Sequence, residues 1–219
     1  MHTDIIRDMR KRCRLAMNGV TSSSMRQKGM AYKLNFGLVI QQIKDIARHY
    51  DADARLANTL WKEDVRELKI LATILYPLSA FTEHDAEMWV KEIPNQEIRE
   101  QVCANLFQNL AFANKLIYDW KNSREENIRT TAYWLLARLS LSKTLEPVQA
   151  KEFKYILDDI ISSDIFLRNA AILALKHIGR QSKEEGDTIL QKLAAFKDEE
   201  DPLKREIYDS LSFEFEYYQ

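Results

Sequence analysis

Residues 64–75 read DVRELKILATIL, a run that would pass for an ordinary buried helix but for an aliphatic residue, Val65, followed at once by an arginine, Arg66. The pair returns as Ile98-Arg99, Ile128-Arg129, Leu167-Arg168 and, more weakly, Leu203-Lys204, so that the basic members stand 33, 30, 39 and 36 residues apart. That period belongs to helical solenoids. After each pair the apolar residues fall at three- and four-residue steps, as in Ile98, Val102, Leu106 and Leu110, which is the signature of a helix face and not of a strand.

Between the marked helices lie further amphipathic segments: ADARLANTLW, EHDAEMWVKEI, AFANKLIYDW, VQAKEFKYILDDII and GDTILQKLAAF. Each repeat is therefore expected to be a helical hairpin. Pro77, Pro94 and Pro202 fall at helix ends or openings and Pro147 is expected to begin another helix, places where a missing N–H costs least. A hairpin of this kind cannot bury its apolar face alone, so about five of them over residues 52–219 are expected to stack into one array with a continuous core. Residues 1–51 are expected to form an N-terminal cap. There TDIIRDMRKRCRLAMNG reads as a basic amphipathic helix, TSSS as a turn or cap, and LNFGLVIQQIKDIARHY as a second long helix. At the far end SFEFEYYQ alternates like a strand but has no pairing partner, and is expected to finish the last helix. The expected fold is thus all-α, a right-handed α-α superhelix forming one curved domain.

The totals agree. The chain has 219 residues, 46% of them hydrophobic, with only five Gly and four Pro, which favours long helices over tight hairpin turns. Its 32 basic and 33 acidic side chains nearly cancel, so any polyanion binding must use a local patch. Cys13 and Cys103 stand alone and the four His are scattered, which gives neither a metal site nor a redox pair. No apolar run reaches about 18 residues, so no membrane span is expected. A cytoplasmic, reduced protein without metal or other cofactor is the expectation.

The segments DVRELKILA, EIREQVCA, NIRTTA and FLRNAA resemble the Asp-x-x-Val-Arg-x-x-Ala pattern of HEAT-like repeats. Two readings of the repeated arginine follow. Arg66, Arg99, Arg129 and Arg168 either form a structural ladder, each reaching an acidic side chain or an orphan carbonyl of the neighbouring repeat, or line a concave surface and meet phosphates. The near-neutral total charge favours the ladder. Further candidates for phosphate contact crowd the front of the chain, among them Arg12, Arg26, Lys28 and Lys33, which could equally be a solvated face.

GMAYKLNFG, LANTLWKEDVRELKILATIL and NQEIREQVCANLF, in that order, resemble the AlkD-type DNA alkylation-repair family, HEAT-like repeat proteins whose characterised members are alkylpurine DNA glycosylases. The resemblance runs from about residue 10 to about residue 180 and is strongest at Leu60, Trp61, Arg66, Glu67 and Leu68. It implies duplex DNA held in the concave groove and loss of a cationic alkylated purine. Such a base is already a good leaving group, so the protein need only stabilise the oxocarbenium-like sugar and position water. In the family a Trp-Asp-x-x-Asp stretch does this; here NQEIRE matches it, with Gln96 in place of the Trp, Glu97 of the first Asp, and Glu100 of the Asp that does the chemistry. The family's DNA-contacting Arg falls near Arg129 or Thr130, and a further aromatic falls on Leu173. Two functions are therefore carried forward: a repair protein that binds damaged duplex DNA and excises the base, with Glu100 and Glu97 as catalytic carboxylates, or a non-catalytic scaffold binding a nucleic-acid or protein partner in the groove.

Overall fold

Several helices in this protein start where the sequence supplies an acceptor for the orphan N–H groups of a first turn. In a computed structural model describing residues 2–27, 30 and 32–218, Asp53 accepts from the Leu56 N–H, Asn95 from Ile98, Asp164 from Phe166 and Leu167, Ser182 from Glu185, and Asp201 from Leu203, with Pro202 in the first turn beyond it. The helices are α1 (Thr3–Leu15), α2 (Gly19–Gln27), α3 (Ile40–Ala47), α4 (Ala54–Trp61), α5 (Arg66–Leu75), α6 (Glu83–Lys91) and α7 (Gln96–Asn105). They continue as α8 (Ala113–Trp120), α9 (Glu126–Leu141), α10 (Ile156–Asp159), α11 (Ile165–Gly179), α12 (Lys183–Lys192) and α13 (Pro202–Tyr217). The described residues form no sheet; a single parallel bridge joins Leu34 to Val65. The all-α expectation holds, and the chain's last segment finishes α13 as the sequence suggested.

Contacts divide the chain into two compact units, residues 1–86 with 93–110, and residues 87–92 with 111–219. In the first, α5 is the central helix, packed by α3, α4 and α7, and its Leu68, Ile70, Leu71 and Ala72 are fully buried. In the second, α9 packs against α8 and α11, and α11 also carries α10, α12 and α13. Gly179 lies where α11 meets α13: a Cβ there would stand 2.2 Å from the Phe215 ring, so only glycine allows the approach.

Three segments depart from the helical expectation. TSSS, residues 21–24, lies inside α2 and is neither its cap nor a turn. Residues 34–39, expected as the front of a long helix, are not helical and α3 begins only at Ile40. The cause is side-chain competition for the backbone: the buried carboxylate of Glu67 accepts from the N–H groups of Phe36 (3.1 Å) and Leu38 (3.3 Å), and between them Gly37 has φ +72°. A Cβ at Gly37 would sit 2.3 Å from the Asn18 carbonyl oxygen.

The third departure is residues 142–155, where Pro147 opens no helix and only one 3₁₀ turn, Ala150–Glu152, forms before the short α10. Three side-chain amides hold this strip from both sides. Asn114 donates to the Thr144 carbonyl (2.9 Å) and accepts from the Glu146 N–H (2.9 Å); Asn122 donates to Glu152 (3.0 Å) and accepts from Lys154 (2.7 Å); Gln181 does the same at Val148. Backbone groups satisfied in this way have no need of the i→i−4 ladder.

Candidate nucleic-acid and catalytic site

The stretch that replaces the family's Trp-Asp-x-x-Asp opens α7. Asn95 fixes the start, accepting from Ile98 N–H (3.1 Å) while its Nδ2 donates to the Tyr32 hydroxyl (2.8 Å). Burial first, against the hydrogen bond from Asn95, and then the Glu97 charge push that phenol up to about 12, so Tyr32 is a neutral wall of the site. Glu97 and Glu100 both lie in the first turn or just beyond it, where the helix dipole favours carboxylates whatever their role.

Their surroundings differ. Glu97, whose side chain is 16% exposed, receives both ends of the Arg66 guanidinium: Nε at 2.8 and 3.1 Å and Nη2 at 2.7 Å. Arg66 is only 2% exposed, and its Nη1 donates to the Leu38 carbonyl (2.8 Å) and to the fully buried Glu67 (2.9 Å). Burial works against the charge on Arg66, but the Glu97 and Glu67 carboxylates outweigh it and hold the guanidinium's pKa above the ordinary arginine value. Glu97 is therefore held by an ion pair with two parallel hydrogen bonds, the strong form of the interaction, on a guanidinium that it shares with Glu67. Glu100 is half-buried and receives the Gln96 amide (3.0 Å), whose oxygen in turn accepts from Arg99 (2.5 Å). Gln96, in the Trp position, thus links a buried arginine to the remaining carboxylate.

In the second unit Arg129, also buried, is held by Asp159 on α10 (2.6 and 2.8 Å) and stacks its guanidinium 4.5 Å from the centre of the Tyr155 ring. The hydrogen bond to Asp159 and that carboxylate's charge raise the arginine's pKa; burial opposes them. Tyr133 donates to the same carboxylate (2.6 Å). Arg129 also donates to the Ser123 carbonyl (3.0 Å), and the half-buried Arg168 repeats that bond with Ser162 (2.9 Å), six residues upstream in each case. Of the repeated arginines, then, Arg66 and Arg129 bond acids 31 and 30 residues ahead, Arg129 and Arg168 close a helix-end carbonyl, and the buried Arg99 bonds Gln96. Arg66 and Arg129 thus have the geometry of the ladder, their guanidinium groups enclosed by acids and carbonyls, whereas Arg99 and Arg168 reach only a side chain three residues and a carbonyl six residues upstream.

The N-terminal cations divide likewise. Arg12 donates to Asp8 (2.8 Å), which also accepts from Tyr50 (2.6 Å); those two hydrogen bonds hold the Asp8 carboxyl below the usual carboxylate range. Arg10 is paired with Glu63 (2.7 Å). The Tyr50–Asp8 and Arg10–Glu63 contacts fasten α1 to the rest of the first unit. Arg26 and Lys33 are exposed, and Lys28 falls outside the described residues. Sequence reading missed Glu67, Tyr32 and Asp159; the one available signal for Asp159 was Tyr133 four residues after Arg129, two side chains on one face that both suit an acidic partner.

Among the described residues no group of His, Cys, Asp and Glu could hold a metal ion, both cysteines are buried and free, and no helix is long and apolar enough to cross a membrane. Compared with known proteins, residues 17–202 match a family described as DNA alkylation repair enzyme. No curated protein matches the chain significantly. A solved structure, described as a new family of proteins related to the HEAT-like repeat DNA glycosylases with affinity for branched DNA structures, superposes with a TM-score of 0.72 at 13% identity, covering 96% of this chain and 93% of that one. At that identity the likeness concerns the fold, an all-α HEAT-like repeat.

Proposed function

The chain belongs to the DNA alkylation repair enzyme family, and on that premise we propose that it is a DNA-binding member that recognises the structure of its target instead of excising an alkylated base. One observation carries this reading: the polar side chains that open α7 satisfy one another. Glu97 is paired with Arg66, and Glu100 is joined through Gln96 to Arg99. Stabilising the positive charge that develops on the sugar needs a carboxylate aimed, unpaired, at the reacting carbon in a site that excludes water. Glu97 is paired with the Arg66 guanidinium, and Gln96 supplies no aromatic face to hold a lesion.

The affinity for branched DNA ascribed to the solved protein of the same fold supports a structural target. Phosphate contacts then come from cations outside the ladder, Arg26 and Lys33 in the first unit, with Arg168 in the second. The competing reading, excision, has Glu100 in its favour, since that carboxylate is half-open and keeps only the Gln96 amide as a named partner. Release of 3-methyl- and 7-methylpurine from alkylated duplex DNA, measured at low salt for the wild type and for Glu100→Gln beside binding to linear and forked DNA, separates the two. The expected result is no release above background and tighter binding to the fork. Release that disappears with Glu100→Gln would overturn the proposal.

A further inference from the structure

The carboxylates around α10 turn inward. Asp159 holds Arg129 and Tyr133, Glu152 takes the Lys121 ammonium (2.7 Å) and the Gln149 N–H (2.9 Å), and Glu185 accepts from the Ala150 N–H (2.7 Å). Three lysines of the same region are left facing out: Lys151, Lys154 and Lys192, all exposed and none in an ion pair among the described residues. They rim a single cavity of about 330 Å³ within the second unit, between the 3₁₀ turn, α10 and α12. Asp158 is the one acidic side chain on its wall, so the rim carries three positive charges against one negative in a protein whose total is −1.

The cavity has an apolar floor. Phe153 and Ile189 form it from the core, 3% and 1% exposed, and Leu157 lies open at 39%. A volume of about 330 Å³ stands at the small end of ligand sites, which run from about 300 to 1,000 Å³. Resting on the DNA-binding reading above, we propose that this cavity seats one nucleotide of an unpaired strand, its base against the open Leu157 side chain and its flanking phosphates on Lys151, Lys154 and Lys192. A duplex offers phosphates but keeps its bases in the stack, and would leave the floor unused; a single strand offers both together. Branched DNA is the kind of target that presents such a strand beside a duplex.

The test is fluorescence polarisation of a labelled oligothymidylate across a salt series, with forked duplex measured beside it, for the wild type and for Lys151→Ala/Lys154→Ala/Lys192→Ala. Each single-strand phosphate contact contributes about 0.7 to the slope of log K against log salt, so losing the contacts to both flanking phosphates makes the slope shallower by about 1.4 and weakens binding. The lysines are exposed, and unchanged circular dichroism will verify the fold. A strand of abasic sites, equal in charge but without bases, is expected to bind the wild type more weakly than oligothymidylate, and polyglutamate is expected to compete poorly. An unchanged slope, equal binding of the abasic strand, or displacement by polyglutamate at matched charge would each overturn the inference. If the wild type binds forked DNA while the triple variant binds oligothymidylate like the wild type, this inference fails and the DNA-binding reading stands; if the wild type binds no DNA, both fail.

Discussion

Replacing Arg66 by methionine tests whether the repeated arginine is structural. The substitution keeps an unbranched apolar stem but removes every donor, leaving Glu67, 0% exposed, with a charge answered only by two backbone N–H groups, and the Leu38 carbonyl without the guanidinium. Glu97, at 16% exposure, can turn to water and adds little. Removing one partner of a buried pair costs about 3–5 kcal/mol, so the expected loss is about 4 kcal/mol. At about 2–4 °C per kcal/mol for a protein of this size, the transition falls by about 8–16 °C. Urea denaturation followed by circular dichroism gives the total, and hydrogen exchange at the α5 and α7 amides assigns it to the first unit. Adding Glu67→Gln removes the stranded charge and keeps an acceptor for one of the Phe36 and Leu38 N–H groups, and the two changes should couple favourably by about 1–3 kcal/mol. A loss under about 1 kcal/mol for Arg66→Met, the figure for a surface ion pair, would refute the ladder and return Arg66 to the candidates for phosphate contact.

Two further outcomes are expected. His177, buried beside the Ser140 hydroxyl (2.8 Å), has its imidazole pushed down from 6.5 to about 4 by burial and then by the Arg180 charge. Between these values the unfolded chain holds the proton and the folded protein does not, so stability falls as pH drops from about 6.5 towards 4, by at most about 3 kcal/mol; His177→Gln should flatten that slope, and a ring resonance titrating near 6.5 would contradict the assignment. Gly37→Ala, with a positive φ and backbone on two sides, should cost about 3 kcal/mol in thermal or urea unfolding, and near-wild-type stability would mean the 34–39 segment readily rearranges.

Periodicity made most helices legible because each apolar face follows from local sequence. The exceptions share one cause. In residues 34–39 and 142–155 the backbone is held by side chains about 30 residues away, Glu67 in one case and Asn114, Asn122 and Gln181 in the other, and no local window contains both partners. The candidate site divides in the same way. Glu97 and Glu100 were singled out through the family resemblance, but the pairing of Glu97 with Arg66 was not legible, since it depends on a guanidinium 31 residues earlier and on which way that side chain turns. Asp159 was hidden for another reason: in YILDDII the aspartates look like the wet side of an amphipathic helix, and only Arg129 and Tyr133 draw one of them inside.

The ladder has a direction. Arg66 and Arg129 each bond forward, to an acid 31 or 30 residues later, about the length of one hairpin, so every such rung is a sentence begun in one repeat and completed in the next. A chain lengthened or shortened by recombination must then move whole words. An inserted hairpin that brings an arginine without presenting an acid to its predecessor would strand one buried charge, the arginine at the upstream seam, whereas a unit carrying both its own arginine and its neighbour's acid slots in with every charge answered. Change in length should come in multiples of the repeat, and substitutions at Glu97 or Asp159 should be accepted only alongside a change at the arginine one hairpin before.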